Sequence, residues 1–193
     1  MGVEFELKYS ALPEQLAAIA QRYPLSYRTI EMETTYFDTH DGKLSQRHIT
    51  LRCRMENDRA VCTVKTPLEG IGRGEWECEC TSIEEAIPKL CLLGATRELL
   101  VLTAEGVQPV CGAKLTRRCG ELVCDCTRLE LALDQGVLIG GGKRVALCEV
   151  EVELKSGTPE ETMKFAEALA REFGLQPQHK SKFRRALGLV KGE

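Results

Sequence analysis

Aromatic side chains are scarce. They make up 5% of the chain, with a single Trp, which leaves few stacking platforms for single-stranded nucleic acid. A basic excess is also missing: 26 Lys and Arg stand against 29 Asp and Glu, a net charge of −3. That balance gives no electrostatic footprint for a nucleic-acid backbone. No apolar run reaches the length of a membrane-crossing helix, and Met1-Gly2-Val3 does not open a signal peptide. The chain is therefore expected to be cytoplasmic, with no nucleic-acid partner and no membrane partner. No GxSxG nucleophile motif occurs, nor a Cys beside an evident base. Gly140-Gly141-Gly142-Lys143-Arg144 fails as a phosphate loop, because the GxxxxGK[ST] spacing is missing and Arg144 stands where Ser or Thr is needed. A turn between strands is the better reading of that segment. C-x-x-C knuckles are absent too. Of the ten Cys, Cys78/Cys80 and Cys124/Cys126 are C-x-C pairs at strand period. They read as reduced thiols of a cytosolic protein, with Cys53, Cys62 and Cys148 in small apolar positions; a Cys119/Cys124/Cys126 zinc site is the weaker alternative. His40, His48 and His179 form no ligand pattern and read as surface residues. There is no βαβ rhythm, internal repeat or low-complexity segment, and 193 residues suit one domain over 1–193.

What is present is a repeated alternation of charged and apolar residues. In a strand, neighbouring side chains point to opposite faces. In Glu4-Phe5-Glu6-Leu7-Lys8 the charges share one face and Phe5 and Leu7 the other. Arg52 and Arg54 flank Cys53, and Glu75, Glu77 and Glu79 alternate with Trp76 and Cys78. Glu130, Ala132 and Asp134 alternate with Leu131 and Leu133, and Glu149, Glu151 and Glu153 with Val150 and Val152. On one strand this describes a sheet with a wet face. On four or five strands together it describes a barrel with charges inward and apolar residues outward. The fold class expected is α+β: an eight-stranded antiparallel β-barrel, or tunnel, with flanking helices.

The expected elements follow from periodicity and punctuation. A strand covers about 3–9 and a helix follows to about Tyr23. Strands cover Thr29–Asp38 and a hairpin, Leu44–Met55 with Ala60–Thr66. The Gly-rich loop from Gly70 to Gly74 leads into Glu75–Thr81. Ser82 and Glu85 form a capping box, and a second helical stretch over Leu90–Ala104 breaks near Gly94. Strands over Lys114–Cys119, Leu122–Leu133 and Leu138–Glu153 are expected to turn at Gly120 and Gly136, with Gly140–Gly142 as a bend. Thr158-Pro159-Glu160-Glu161 starts a helix ending at Gly174, and a last helix carries Lys180–Arg185.

Carboxylates crowded into one tunnel cannot all stay ionised unless cations offset them. Glu4, Glu6, Glu75, Glu130, Asp134, Glu149, Glu151 and Glu153 are the candidate metal ligands, and an all-oxygen set suits Mg²⁺ or Mn²⁺. Lys8, Arg52, Arg54, Lys65, Arg73, Arg117 and Lys182 come from separate elements, and distributed positive charge of this kind suits a polyphosphate. Cross-strand pairing with neighbouring Glu is the bland alternative, and the two are compatible in the empty protein.

Taken in order, these segments resemble the CYTH domain of the triphosphate tunnel metalloenzyme superfamily. Glu4-Phe5-Glu6-Leu7-Lys8 resembles its ExExK signature, Thr35-Tyr36-Phe37-Asp38 with Leu44 its second strand and turn, and Leu51-Arg52-Cys53-Arg54 its LRxR. Thr63-Val64-Lys65, Arg73-Gly74-Glu75, Arg117, Leu133-Asp134-Gln135-Gly136, Glu149–Leu154 and Ser181-Lys182-Phe183-Arg184-Arg185 follow in the family's order. Cys119 departs from it, standing where many members have another base. The resemblance implies that Glu4 and Glu6, with the late acidic strand, hold one or two divalent ions. It also implies that the basic set binds a triphosphate-containing small molecule and that Lys8 serves both, so that Glu4, Glu6 and Lys8 are the candidate catalytic residues. The reaction implied is metal-dependent hydrolysis of the terminal phosphate, of inorganic triphosphate first. A class IV type adenylate cyclase ranks second, thiamine triphosphatase third, and a non-catalytic polyphosphate or nucleotide binder remains. A monomer and a homodimer are equally open.

Overall fold

The structure, a computed structural model, describes residues 2–67 and 73–192, with side chains from Phe5 onward. The Gly70-Ile71-Gly72 part of the Gly-rich loop and the Glu4 side chain lie outside the described residues. In chain order the elements are β1 (Gly2–Glu4), β2 (Glu6–Ser10), α1 (Pro13–Arg22), β3 (Arg28–Asp38), α2 (Lys43–Gln46), β4 (Thr50–Glu56), β5 (Arg59–Pro67), β6 (Arg73–Glu79), α3 (Ile83–Leu92), α4 (Glu98–Leu102), β7 (Gln108–Cys124), β8 (Thr127–Gly140), β9 (Lys143–Ser156), α5 (Pro159–Phe173), β10 (Gln176–Pro177) and α6 (Lys182–Lys191). No helix among the described residues is long and apolar enough to cross a membrane.

The strands form one antiparallel sheet in the order β1-β6-β5-β4-β3-β7-β8-β9-β2-β10. The N-terminal segment appears near both ends of that order. β1 pairs with β6 through Glu4 opposite Arg73, and β2 pairs with β9 through Glu6 opposite Glu153. One segment, interrupted at Phe5, thus lies along both edges and bends the sheet into a barrel-like tunnel. With β1 and β2 counted as one broken strand and the two-residue β10 set aside, eight strands surround the interior, as the alternation predicts.

The apolar faces point outward and are covered by helices. Leu51, Cys62, Val64 and Trp76 on β4–β6 pack under α3 and α4 with Leu90 and Leu99. Leu129, Leu131, Val150 and Val152 on β8 and β9 pack under α1 and α5 with Ile19 and Leu169. Each fully buried Leu, Ile or Val among these contributes about 1.5–3 kcal/mol of burial. Trp76 therefore sits away from the tunnel, as its parity requires. The helices start on side-chain caps: the oxygens of Ser82, Thr158 and Ser181 accept from the amides of Glu85, Glu161 and Arg184. The Ser181 cap sets the register that sends Lys182 and Phe183 into the tunnel. Ala186 of α6 joins the inward-facing Met32, Ala113, Leu115, Leu138 and Leu147 in a third apolar cluster. The helix thus stoppers one end of the tunnel.

The turns expected at Gly120 and Gly136 do not form, whereas the turn expected at Gly140–Gly142 does. β7 runs unbroken through Gly120 and β8 through Gly136, and the chain reverses at Asp125, whose φ is 52°, and at Gly141 and Gly142, with φ of 56° and 73°. Gly120 and Gly136 mark close approach instead. A Cβ at Gly120 would sit 2.9 Å from Leu25 Cβ, and one at Gly136 would collide with the Lys114 carbonyl and Leu115 Cα across the β7–β8 pair. The helical stretch after Ser82 divides as expected at Gly94, where φ is 106°.

Gly136→Ala is expected to destabilise the fold by at least about 1–3 kcal/mol, because only backbone movement relieves the clash. Gly142→Asn, in open space at a left-handed position Asn tolerates, is expected to change stability by less than about 1 kcal/mol. Urea unfolding of both variants checks the contrast.

Candidate functional site

The tunnel encloses a cavity of about 350 Å³, and strand register orders its charges into layers. Glu130 on β8, Glu153 on β9 and Glu6 on β2 stand directly opposite one another. Two residues along each strand come Ala132, Glu151 and Lys8, and then Asp134, Glu149 and Ser10. Successive layers are about 6.8 Å apart along the strands.

The layers nearest α6 are neutralised by the protein itself. Lys182 Nζ lies 2.8 Å from Asp134, 2.7 Å from Glu149 and 2.6 Å from Glu151. Arg117 donates through Nε and Nη2 to the two Asp134 oxygens, both at 2.7 Å, and reaches Glu151 at 2.5 Å. Arg185 pairs with Glu149. Glu149 Oε2 accepts no hydrogen bond, but the ammonium at 2.7 Å compensates its charge. Burial opposes the charge on Lys182, yet Asp134 and Glu151 overcome it and hold the ammonium well above its ordinary pKa. Burial likewise opposes ionisation of Glu151, and Lys182, Arg117 and Lys8 outweigh it, holding that carboxyl well below its usual range. Among the described residues, Asp134, Glu149 and Glu151 form the single group that brings three possible ligand atoms within 4.8 Å. The Lys182 ammonium already sits in their midst.

The far layer is different. Glu6 pairs with Lys8 at 2.7 Å, Glu153 with Lys155 at 2.9 Å, and Glu130 with Arg28 at 2.5 Å. Burial pushes the Glu153 carboxyl up, and the charges of Glu6 and Glu130 add to the rise although Lys155 opposes it. Each of these three carboxylates has a cationic partner, and the three offer hard oxygen donors. Unlike the carboxylates beneath Lys182, those of this layer do not bring three ligand atoms within 4.8 Å of one another among the described residues.

The facing wall is basic. Lys65 lies 3.2 Å from Glu75, and Arg52 lies 3.6 Å from Glu75 and 3.7 Å from Glu77. Arg54 pairs with Glu56, and its buried Nε has no hydrogen-bond acceptor. Burial and the neighbouring Arg52, with Arg117 adding, depress the pKa of Arg54. Crowded guanidiniums of this kind are relieved by an anion.

All seven bases expected from sequence, Lys8, Arg52, Arg54, Lys65, Arg73, Arg117 and Lys182, line this one cavity. So do Glu6, Glu75, Glu130, Glu151 and Glu153, with Glu75 on the basic wall. Asp134 and Glu149 are fully buried under Lys182, and the Glu4 side chain lies outside the described residues. Arg73 donates to the His48 carbonyl at 2.7 Å. Cys119 lines the cavity beside Arg28 Nε at 3.1 Å. Cys124 and Cys126 flank Asp125 at the β7–β8 turn. Arg28 and Lys155 were not picked out from sequence, and Tyr36 and Arg185 were named only within motifs, with no site role given them. Lys155 continues the parity of Glu149, Glu151 and Glu153, and Arg185 follows Lys182 by one helical turn, so both had a readable signal. The ring of Tyr36 packs on Phe183 at 5.1 Å.

Lys182→Met leaves three carboxylates short of a cation. It is expected to cost about 3–5 kcal/mol at pH 7, the usual result of stripping one partner from a buried ionic group. Glu151 has a depressed folded-state pKa, so the pairing stabilises above the unfolded carboxyl pKa and is lost as pH falls through the folded value. The gap between wild type and variant should therefore narrow on acidification, as read from urea midpoints at pH 7 and pH 4.

A family model described as the CYTH domain matches residues 3–187. An inorganic triphosphatase of Haemophilus influenzae is 26% identical over 188 residues, covering 94% of this chain and 53% of that protein. The chain thus spans about half the length of that curated relative. A solved structure of an adenylyl cyclase candidate from Hippeastrum, described as revealing a dominant triphosphatase activity, matches with a TM-score of 0.69 at 20% identity, covering 97% of this chain and 96% of the other. An adenylate cyclase candidate from Bacillus halodurans matches with a TM-score of 0.65 at 18% identity, covering 95% and 96%. With the family match extending from the first strand to the C-terminal helix, the chain belongs to the CYTH domain family.

Proposed function

We propose that this protein hydrolyses the terminal phosphate of a triphosphate, inorganic triphosphate first, with a divalent ion as cofactor. The observation that carries the reading is the two-sided cavity: Arg52, Arg54 and Lys65 face the Glu6/Glu130/Glu153 layer, with Arg117 and Lys8 between. A bare triphosphate is highly charged and presents no apolar surface, and this interior answers it mostly with charged side chains. Among the described residues the aromatic rings lining the cavity are Tyr36 and Phe183, and they pack against each other at a tilt rather than framing a slot for a base. That favours inorganic triphosphate over ATP.

Glu6, Glu130 and Glu153 are the residues assigned to the ion, with Glu4 expected to join them; Mg²⁺ and Mn²⁺ both suit such donors. When bound, the ion supplies charge neutralisation at the phosphoryl oxygens. The chain's own residues do the rest. Arg52, Arg54, Lys65 and Arg117 spread positive charge along the phosphates, with Arg73 at their edge. Phosphoryl transfer builds charge on equatorial oxygens, so fixed guanidiniums aimed at them lower the barrier without reorganising. Lys8, held 2.7 Å from Glu6, stands between the acids and the phosphates and keeps both in register. Lys182 and Phe183 close the α6 end to water, so substrate enters from the mouth ringed by Arg28 and Lys155.

Glu6→Gln is expected to lower kcat by about 10²-fold or more while leaving Tm unchanged or raised, since it removes a charge facing Glu153. Loss of fold in that variant would reassign Glu6 to structure.

Phosphate release from inorganic triphosphate, ATP and thiamine triphosphate, each with Mg²⁺ and then Mn²⁺, tests the reaction. Release from inorganic triphosphate well above the others is expected. Pyrophosphate appearing from ATP without phosphate from any substrate would sink the hydrolase reading in favour of a cyclase. No product from any of them would leave a binding module.

A further inference from the structure

Behind the basic wall lies a row of thiols that hydrolysis does not use. Cys53 on β4 stands directly opposite Cys62 on β5, and Cys62 directly opposite Cys78 on β6. All three are free and face the apolar layer under α3. The sulfurs of Cys62 and Cys53 lie 3.2 Å and 3.8 Å from one acceptor, the Cys80 carbonyl. Directly opposed residues of an antiparallel pair have Cα atoms about 4.5–5.5 Å apart, inside the window of about 4.4–6.8 Å that a disulfide spans. The two thiols differ in access: Cys62 is fully buried and Cys53 is partly exposed. On the reverse face of β4, the residues flanking Cys53 are Arg52 and Arg54, both lining the cavity.

We propose that Cys53 and Cys62 form a thiol–disulfide modification site, closed by a peroxide and opened by a thiol reductant, which lowers turnover by displacing Arg52 and Arg54. The effect on turnover rests on the function proposed above, whereas the bond itself does not. Cys53 sulfur attacks one peroxide oxygen, the O–O bond breaks, and the departing hydroxide takes the Cys53 proton as water. Cys62 sulfur then displaces the hydroxyl from Cys53. The S–S bond forms, and the Cys62 proton leaves with that hydroxyl as a second water. Two thiols lose two electrons and two protons, and one peroxide becomes two waters. Cys62 is the resolving partner because it stands directly opposite Cys53 and shares its acceptor, whereas Cys78 stands opposite Cys62 and not Cys53. Closure draws the two Cβ atoms to about 3.8 Å, closer than the usual separation of about 4.5–5.5 Å for opposed strand residues. The pull acts on the strand that aims both guanidiniums.

The test treats the full chain with hydrogen peroxide, blocks remaining thiols with N-ethylmaleimide, and maps peptides without reductant. The expected result is a linked Cys53–Cys62 peptide that dithiothreitol reverses, with turnover of inorganic triphosphate down by about tenfold to a hundredfold, the scale of a small misplacement of binding groups, and restored on reduction. Cys53→Ala and Cys62→Ala should each abolish the link and keep turnover in peroxide. Cys126→Ser, at the exposed β7–β8 turn, should keep both the link and its effect. A bridge to a different cysteine, or Cys53 oxidised further without a bridge, overturns the site. A bridge that forms without changing turnover overturns the control. Untreated protein without turnover would refute the proposed function, while the peptide map still decides the site.

Discussion

The ammonium of Lys182, held among Asp134, Glu149 and Glu151, is the contact on which the rest of the interior depends. Three carboxylates side by side on neighbouring strands would repel one another in a space closed to water, and a cation must stand among them for those strands to pair. The protein supplies that cation from its last helix, and Arg117 and Arg185 complete the compensation. α6 is therefore fastened at two levels: electrostatically at its first turn and by apolar contact at Ala186 and Leu189. A buried ionic cluster of this kind adds little net stability against a hydrophobic equivalent. Its effect here is to fix where the helix docks and which strands lie beneath it.

Turning the charges inward has a cost that the outer layers meet. A barrel filled with Arg, Lys, Glu and Asp has no apolar core of its own, so its outward faces must be covered. α3 and α4 cover β4–β6, α1 and α5 cover β8 and β9, and these two layers contain most of the fully buried side chains. The helices thus stand where solvent stands in an ordinary barrel. This division leaves the interior walls free to hold charge at fixed positions, which a ligand-binding tunnel requires.

Much of this was legible because strand parity is a strict rule. The alternation at Glu149, Glu151 and Glu153, and at Arg52 and Arg54, identified the inward face correctly, and the same parity sent Trp76 outward. The seven bases share one cavity as that reading requires. Parity says nothing about depth along a strand, however. It could not separate Glu149, buried beneath Lys182, from Glu153, which faces the open part of the cavity, since both point the same way. Glycine misled for a related reason. Gly120 and Gly136 look like turn residues locally, and only the approach of Leu25 and of the Lys114–Leu115 backbone explains them. Arg28 lacked any signal, because its place at the mouth comes from the pairing of β3 with β7, a relation between distant segments.

The broken first strand has a consequence for how the chain acquires its shape. Glu6 pairs with Glu153 and Glu4 with Arg73, so the seam joins segments that lie far apart in the sequence. Pairing across such a separation carries a large loop-closure entropy and slows folding. During synthesis, β2 stays without its β9 partner until β9, far downstream in the sequence, has left the ribosome. Until then β9's future neighbour is an exposed edge, open to pairing with another chain. The interruption at Phe5 lets β1 dock on β6 early while β2 waits, and so shortens the edge left uncovered.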